Sequence, residues 1–225
     1  MLKGIKAVLF DLDGTLADSM LVWTQIDLDF FASRGIPIPE TLQTDIEGMS
    51  FAETAQYFID TFHLPETLDQ LMSLWNQIAL KHYRTDVELK EGAAEFLAYL
   101  KSKGIRTGIS TSNSRLLLDV FLTRHGIKSS FDALTTSDEV KRGKPAPDVY
   151  LTTARKLGVR PNECLVIEDL PMGIRAGLNA GMKVCAIEDR YSCKLREEKQ
   201  KLAHYYINSF RDVLEEIGKQ EKAME

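Results

Sequence analysis

Four short polar clusters stand out by residue type and spacing. Asp11 and Asp13 flank a leucine and run into Gly14 and Thr15. Thr111, Ser112 and Asn113 are consecutive, Lys144 sits between Gly143 and Pro145, and Glu168 adjoins Asp169. Asp11, Asp13, Glu168 and Asp169 would bring more carboxylate to one crevice than can ionise together without a cation, because like charges at close range oppose each other's ionisation. Such an all-oxygen set, without His or Cys, suits a hard cation such as Mg2+. Hydroxyl and backbone donors at a helix start, as Thr111, Ser112 and Asn113 would offer, suit a phosphate group. Lys144 supplies fixed positive charge. The sum is a magnesium–phosphate site with one carboxylate left over to do chemistry. Taken singly, each cluster reads as well or better as a helix cap or a surface turn. Only convergence in space separates one site from four unrelated caps.

The elements that would position them can be read from hydrophobic patterning. Ala7–Phe10, Thr107–Ser110, Leu165–Ile167 and Val184–Ile187 are short apolar runs without polar alternation, the signature of buried parallel strands. Ala133–Thr135 is a weaker run, and Tyr205–Ile207 reads as a last edge strand. Helical periodicity ending at a glycine fills the gaps: 92–103 before Gly104, 115–125 before Gly126, 147–157 before Gly158, and 173–180 before Gly181. Strand, helix, glycine, strand, repeated, predicts an α/β fold with a parallel sheet. Each polar cluster then follows a strand or opens a helix, at the carboxyl edge where open parallel sheets bind ligands. Residues 19–86 break the rhythm. Trp23, Ile26, Phe30 and Phe31, then Ala55, Phe58, Ile59 and Phe62, then Leu71, Leu74, Trp75 and Ile78 keep helical spacing, with turn signals at Pro37, Pro39 and Pro65. This stretch predicts an all-helical insert after the first strand.

Composition narrows the function classes. At 225 residues, 44% hydrophobic and 27% charged, the chain can bury a core without disulfides or structural metal. Its 28 Lys and Arg against 33 Asp and Glu, a formal charge of -5, argue against a nucleic-acid partner. Three cysteines, Cys164, Cys185 and Cys193, without CxxC spacing, read as reduced thiols. With no secretory h-region and no apolar run long enough to span a bilayer, a cytoplasmic protein without a membrane partner is expected, working as a monomer.

The run Asp11-Leu12-Asp13-Gly14-Thr15-Leu16 resembles the opening motif of the haloacid dehalogenase superfamily. Ile109–Asn113, Lys144 before Pro145, and Val166–Asp169 followed by Gly173 and Gly181 resemble its three later motifs. The resemblance covers nearly the whole chain, and the helical insert matches the subfamily that carries a cap. It implies an α/β, Rossmann-like three-layer core with a parallel sheet over residues 1–16 and 88–225, and an inserted all-α cap over 17–87. It further implies a Mg2+-dependent phosphatase acting on a small phosphorylated metabolite such as a sugar phosphate. In that reading Asp11 is the nucleophile and Asp13 the acid/base, while Thr111 and Lys144 steady the transferring group. Ser112 and Asn113 bind phosphate, and Asp11, Asp13, Asp169 and Glu168 form the metal set. Trp23, Glu47 and Met49 are candidates for the leaving-group pocket, with core packing the plainer reading for Trp23. The sequence departs from the family pattern at Leu170, where serine is common, and at Glu91, where proline is common.

Asp13 argues against the dehalogenases of the superfamily, which lack that second aspartate. The competing reading is a β-phosphoglucomutase-like mutase. Such caps carry a histidine soon after the first motif and a Lys-Gly-(Val/Met)-x-Arg stretch, where this chain has Trp23 and Glu47-Gly48-Met49-Ser50-Phe51. A remote alternative is a non-catalytic phosphometabolite-binding protein, against which both aspartates speak.

Overall fold

The computed structural model describes residues 1–46 and 49–222. Eight strands form two sheets among these residues. The main sheet has the order β5-β4-β1-β6-β7-β8, built from β1 (Ala7–Phe10), β4 (Arg106–Thr111), β5 (Ala133–Thr136), β6 (Cys164–Glu168), β7 (Lys183–Ile187) and β8 (Tyr205–Ile207). Every pairing in it is parallel. All six strands lie where the apolar runs place them.

The lack of polar alternation has its cause in the layers. Val8, Phe10, Leu165 and Ile167 face one way, onto α5 (Ala93–Ser102), α6 (Arg115–Arg124) and α10 (Phe210–Lys222). Ala7, Leu9, Cys164 and Val166 face the other way, onto α7 (Asp148–Leu157) and α8 (Pro171–Asn179). A strand covered on both faces is mostly apolar, and the polar side chains it keeps are small hydroxyls such as Ser110 and Thr135. The result is a three-layer α/β/α Rossmann-like core.

Register sets the site. Phe10 is level with Ile109 on one side and Ile167 on the other, and the Asp11 N–H donates to the Ile167 carbonyl at 3.0 Å. The residues that follow these strands therefore emerge side by side at the carboxyl edge.

Between β1 and β4 the chain leaves the core through β2 (Ala17–Asp18) and returns through β3 (Glu88–Leu89). These two strands pair antiparallel, Ala17 with Leu89 and Asp18 with Glu88. Between them run α1 (Met20–Arg34), α2 (Leu42–Ile46), α3 (Phe51–Phe62) and α4 (Leu68–Thr85). Residues 30–75 of this insert contain a hydrophobic cluster of their own, centred on Phe31, Phe58 and Trp75, with the Phe58 and Trp75 rings 4.9 Å apart edge-on. Two capping boxes begin its longer inner helices, Ser50 with Glu53 on α3 and Thr67 with Gln70 on α4. Each satisfies two otherwise unpaired backbone donors. Among the described residues no helix is long and apolar enough to cross a membrane.

Candidate active site

The clusters read from the sequence meet in one place. Asp11, at the end of β1, accepts from Lys144 Nζ at 2.5 Å. The same ammonium donates to Glu168 Oε1, also at 2.5 Å, at the end of β6. Asp169 lies alongside, and Asp11, Glu168 and Asp169 each offer a carboxylate oxygen within 4.8 Å of the others. All three carboxylates and Lys144 are buried.

Three carboxyl groups against one ammonium leave this cluster short of positive charge. Burial, more than any neighbour, pushes the Asp11 carboxyl up to about 8; Lys144 pulls it down, while Glu168 and Asp13 push it further up. Asp169 is raised well above the carboxylate range by burial first, then by Glu168 and Asp11. Burial lowers the Lys144 pKa, but Asp11 and Glu168 outweigh it and hold the ammonium above the ordinary lysine value.

Asp169 also carries the clearest mark of a missing partner. Its Oδ1 accepts from Thr15 Oγ1 at 3.2 Å, whereas Oδ2 is buried with no partner. An unsatisfied buried carboxylate oxygen is costly. Gly14 keeps the space beside it open. Its φ is +81°, and a Cβ there would collide with Asp169 Oδ2. An orphaned carboxylate oxygen in a pocket where three carboxyl groups face one ammonium fits a hard divalent cation.

Asp13 sits at the edge of the cluster and is surrounded by donors. Ser19 Oγ reaches Oδ1 at 2.5 Å and Trp23 Nε1 reaches it at 3.2 Å. The Tyr83 hydroxyl also donates to Oδ1, and Asn113 Nδ2 donates to Oδ2 at 2.8 Å. Thr111, at the end of β4, accepts the Asn113 N–H on its hydroxyl at 3.0 Å. Ser112 follows, and its carbonyl accepts the Phe51 N–H of α3 at 3.2 Å. Above the cluster opens a cavity of about 750 Å³, lined by Asp11, Thr111, Ser112 and Lys144 below and by Met49 and Trp75 on the insert's side.

The sequence candidates therefore converge, with adjustments. Asn113 turns its amide toward Asp13 and Tyr83. Trp23 packs edge-on against Phe51 and Tyr83 but also aims its N–H into the site. Met49 lines the cavity; Glu47 lies outside the described residues. Two tyrosines were not legible as site residues. Tyr83 sits four positions after Ala79 on the buried face of α4, and Tyr150 lies on the buried face of α7. Each reads as one more apolar position, because nothing in helical spacing signals a hydroxyl.

Fold and site together define a class: a Rossmann-like α/β protein with a cation-ready carboxylate cluster at the sheet's carboxyl edge, roofed by a helical insert. A family model described as haloacid dehalogenase-like hydrolase matches residues 8–187. The chain belongs to that family. It is 33% identical over 184 residues to hexitol phosphatase A of Escherichia coli K12, covering 81% of this chain and 82% of that protein. It is 31% identical over 183 residues to a bifunctional riboflavin kinase/FMN phosphatase of Arabidopsis thaliana, where the match covers 81% of this chain and 48% of that protein. The chain thus spans about half the length of that second relative. Among solved structures, CbbY of Rhodobacter sphaeroides in complex with phosphate is similar at a TM-score of 0.80 and 25% identity, covering 92% of this chain and 95% of that one.

Proposed function

We propose that this chain is a Mg2+-dependent phosphatase that hydrolyses a small phosphomonoester, a sugar phosphate or a similar metabolite, through an aspartyl phosphate on Asp11. The observation that carries the reading is the pairing of the buried Asp11 carboxylate with Lys144 at 2.5 Å, beside an Asp169 oxygen that has no partner, on the floor of a cavity large enough for a sugar phosphate. Kinship with hexitol phosphatase A supports the substrate class.

Lys144 and the Thr111 and Ser112 donors would bind the phosphoryl oxygens and orient phosphorus toward Asp11. Phosphoryl transfer depends chiefly on such positioning and charge compensation. One Asp11 oxygen attacks phosphorus, the ester P–O bond breaks, and Asp13 gives its proton to the departing alkoxide. Asp13 then takes a proton from water, whose oxygen attacks the aspartyl phosphate. The Asp11–phosphorus bond breaks and inorganic phosphate leaves. Asp11, Asp169 and the backbone carbonyl of Asp13 would hold Mg2+, which when bound neutralises phosphate charge so that an anionic nucleophile can approach. Residues 17–87 would act as a cap over a core of 1–16 and 88–225, with the paired strands β2 and β3 as the hinge.

The test is turnover of a panel of sugar, polyol and nucleoside monophosphates. Wild type should release phosphate with Mg2+, stop when the metal is chelated, and recover when it is restored. Asp11→Asn should be inactive with an unchanged circular-dichroism spectrum. Full activity in excess chelator, or in Asp11→Asn, would refute the mechanism.

A further inference from the structure

Glu168 has no room for a metal ion in its hydrogen-bonding arrangement. A carboxylate has about four acceptor positions, two on each oxygen. Glu168 Oε1 accepts from Lys144 at 2.5 Å and from the Tyr150 hydroxyl at 2.8 Å. Oε2 accepts the N–H groups of Asp169 at 3.0 Å and Leu170 at 3.3 Å. All four positions are filled by groups of this chain. Asp169, next in sequence, is the opposite case, with a buried Oδ2 that has no partner.

The surroundings of Glu168 form a socket shaped for that carboxylate. Tyr150 is fully buried, so its hydroxyl has no water to turn to. The Lys144 ammonium lies 5.3 Å from the centre of the Tyr150 ring, which places one tyrosine against both members of the ion pair. On the far side, α8 passes so close that a Cβ at Gly173 would overlap the Glu168 carboxylate. A side chain gripped on both oxygens and backed by a glycine has one available position. That position delivers the Lys144 ammonium to Asp11.

We propose that Glu168 and Tyr150 are positioning residues for Lys144, and that Glu168 is not a ligand of the metal. This rests on the phosphatase reading for what Lys144 does, but not for where the cation binds. Tyr150 orients Glu168, Glu168 anchors Lys144, and Lys144 meets the transferring phosphoryl group beside Asp11. The interaction matters most as charge develops in the transition state, so its loss lowers kcat more than it raises KM.

Two measurements test this. In calorimetric titrations with Mg2+ alone, Asp169→Asn should weaken binding more than ~100-fold and Glu168→Gln clearly less, within the ~10–100-fold range of an outer-layer partner. The isosteric Tyr150→Phe keeps the test open should Glu168→Gln misfold. With Mg2+ present, it should lower kcat by ~10-fold at a KM within ~2-fold of wild type, and weaken orthovanadate, a mimic of the five-coordinate state, by the same factor while inorganic phosphate stays within ~2-fold. Loss of Mg2+ affinity in Glu168→Gln as deep as in Asp169→Asn would overturn the proposal. So would a Tyr150→Phe enzyme with wild-type kcat and vanadate affinity, or one in which phosphate and vanadate weaken alike. If wild type releases phosphate from no ester at all, the phosphatase reading fails, yet the Mg2+ titrations still decide the place of Glu168.

Discussion

The indole N–H of Trp23 donates to Asp13 Oδ1 at 3.2 Å, and the same N–H lies 3.1 Å from the Tyr83 hydroxyl. Trp23 stands on α1, where the insert begins, and Tyr83 on α4, near where it ends. The carboxylate proposed as acid/base is thus held by both helices that join the insert to the core. A tryptophan whose spacing suggests packing does pack, while its one polar atom serves the site.

Trp23→Phe keeps the ring contacts and deletes that donor. A hydrogen bond to a charged group contributes ~1.5–3 kcal/mol. The expected result is a kcat reduced by ~10-fold or more, with the melting temperature lowered by no more than ~12 °C. Steady-state kinetics alongside thermal unfolding decide the matter. An unchanged kcat would show that Trp23 is packing alone.

How much of this was legible follows from what each element must satisfy. The six main strands announce themselves because both faces are covered, as with Val8 and Phe10 on one side and Ala7 and Leu9 on the other. The polar residues at their ends stand out against that apolar background, which is why Asp11, Thr111, Glu168 and Asp169 could be chosen in advance. The two-residue strands β2 and β3 are too short for any periodicity, so their pairing could not be read, although the insert's bounds at 17 and 87 fall beside them. Which oxygen of which carboxylate goes unpaired depends on the side-chain arrangement, and Glu168 and Asp169 look alike until Tyr150 and Lys144 are placed. Asn113 likewise reads as a phosphate donor until Asp13 and Tyr83 are seen to share its amide.

Acid stability should depend on Glu163. Its carboxylate pairs with Arg160 at 2.9 Å and with Lys6 at 2.7 Å, at the amino-terminal side of β1 and β6. The Arg160 hydrogen bond first, then Lys6, lowers its pKa from an ordinary 4.5 to about 2. Between those values the unfolded chain binds the proton and the folded chain does not, so stability rises with pH across that window. The contribution is complete above about 4.5 and is lost as pH falls toward about 2. Glu163→Gln should therefore melt below wild type at pH 7, and the gap should close as the pH of the melts is lowered through the window. A gap of constant size at every pH would show that the ion pairs contribute nothing.

The three thiols should differ sharply in reactivity. Burial, helped by Glu163, pushes the Cys164 thiol up to about 11, and burial pushes Cys185 up to about 12. At pH 8 a thiol of pKa 11 is ionised in only ~0.1% of molecules, and the thiolate is the nucleophile. Cys193 is exposed. Iodoacetamide at pH 8 should place one adduct on the native protein, at Cys193, and three on the protein in strong denaturant. Intact mass followed by peptide mapping reads this directly; prompt native labelling of Cys185 would contradict the burial assigned to β7.

The last prediction separates hydrolase from mutase. A mutase must hold a bisphosphate intermediate, which requires positive charge opposite Lys144 as well as beside it. Among the described residues on the insert's side, the charged ones lining the cavity are Asp27 and Glu40, both acidic. Arg34 is committed elsewhere, paired with Glu66 at 2.6 Å and stacked 3.9 Å over the Phe30 ring. Lys81 and Arg84 do not line the cavity among the described residues. Among the described residues, a second phosphate placed against the insert would meet Asp27 and Glu40, at a cost of ~4 kcal/mol per pair at 4 Å separation and an effective dielectric constant near 20, while the cavity's further lysine, Lys194, stands on the core's side. The phosphoryl group on Asp11 should therefore pass to water. Incubation with β-glucose 1-phosphate, Mg2+ and a trace of glucose 1,6-bisphosphate should give free phosphate or no reaction, and monophosphate esters should be hydrolysed without any bisphosphate present. Formation of glucose 6-phosphate faster than free phosphate would reverse the assignment and would give Lys194, the cavity's further cation among the described residues, the second phosphate to hold.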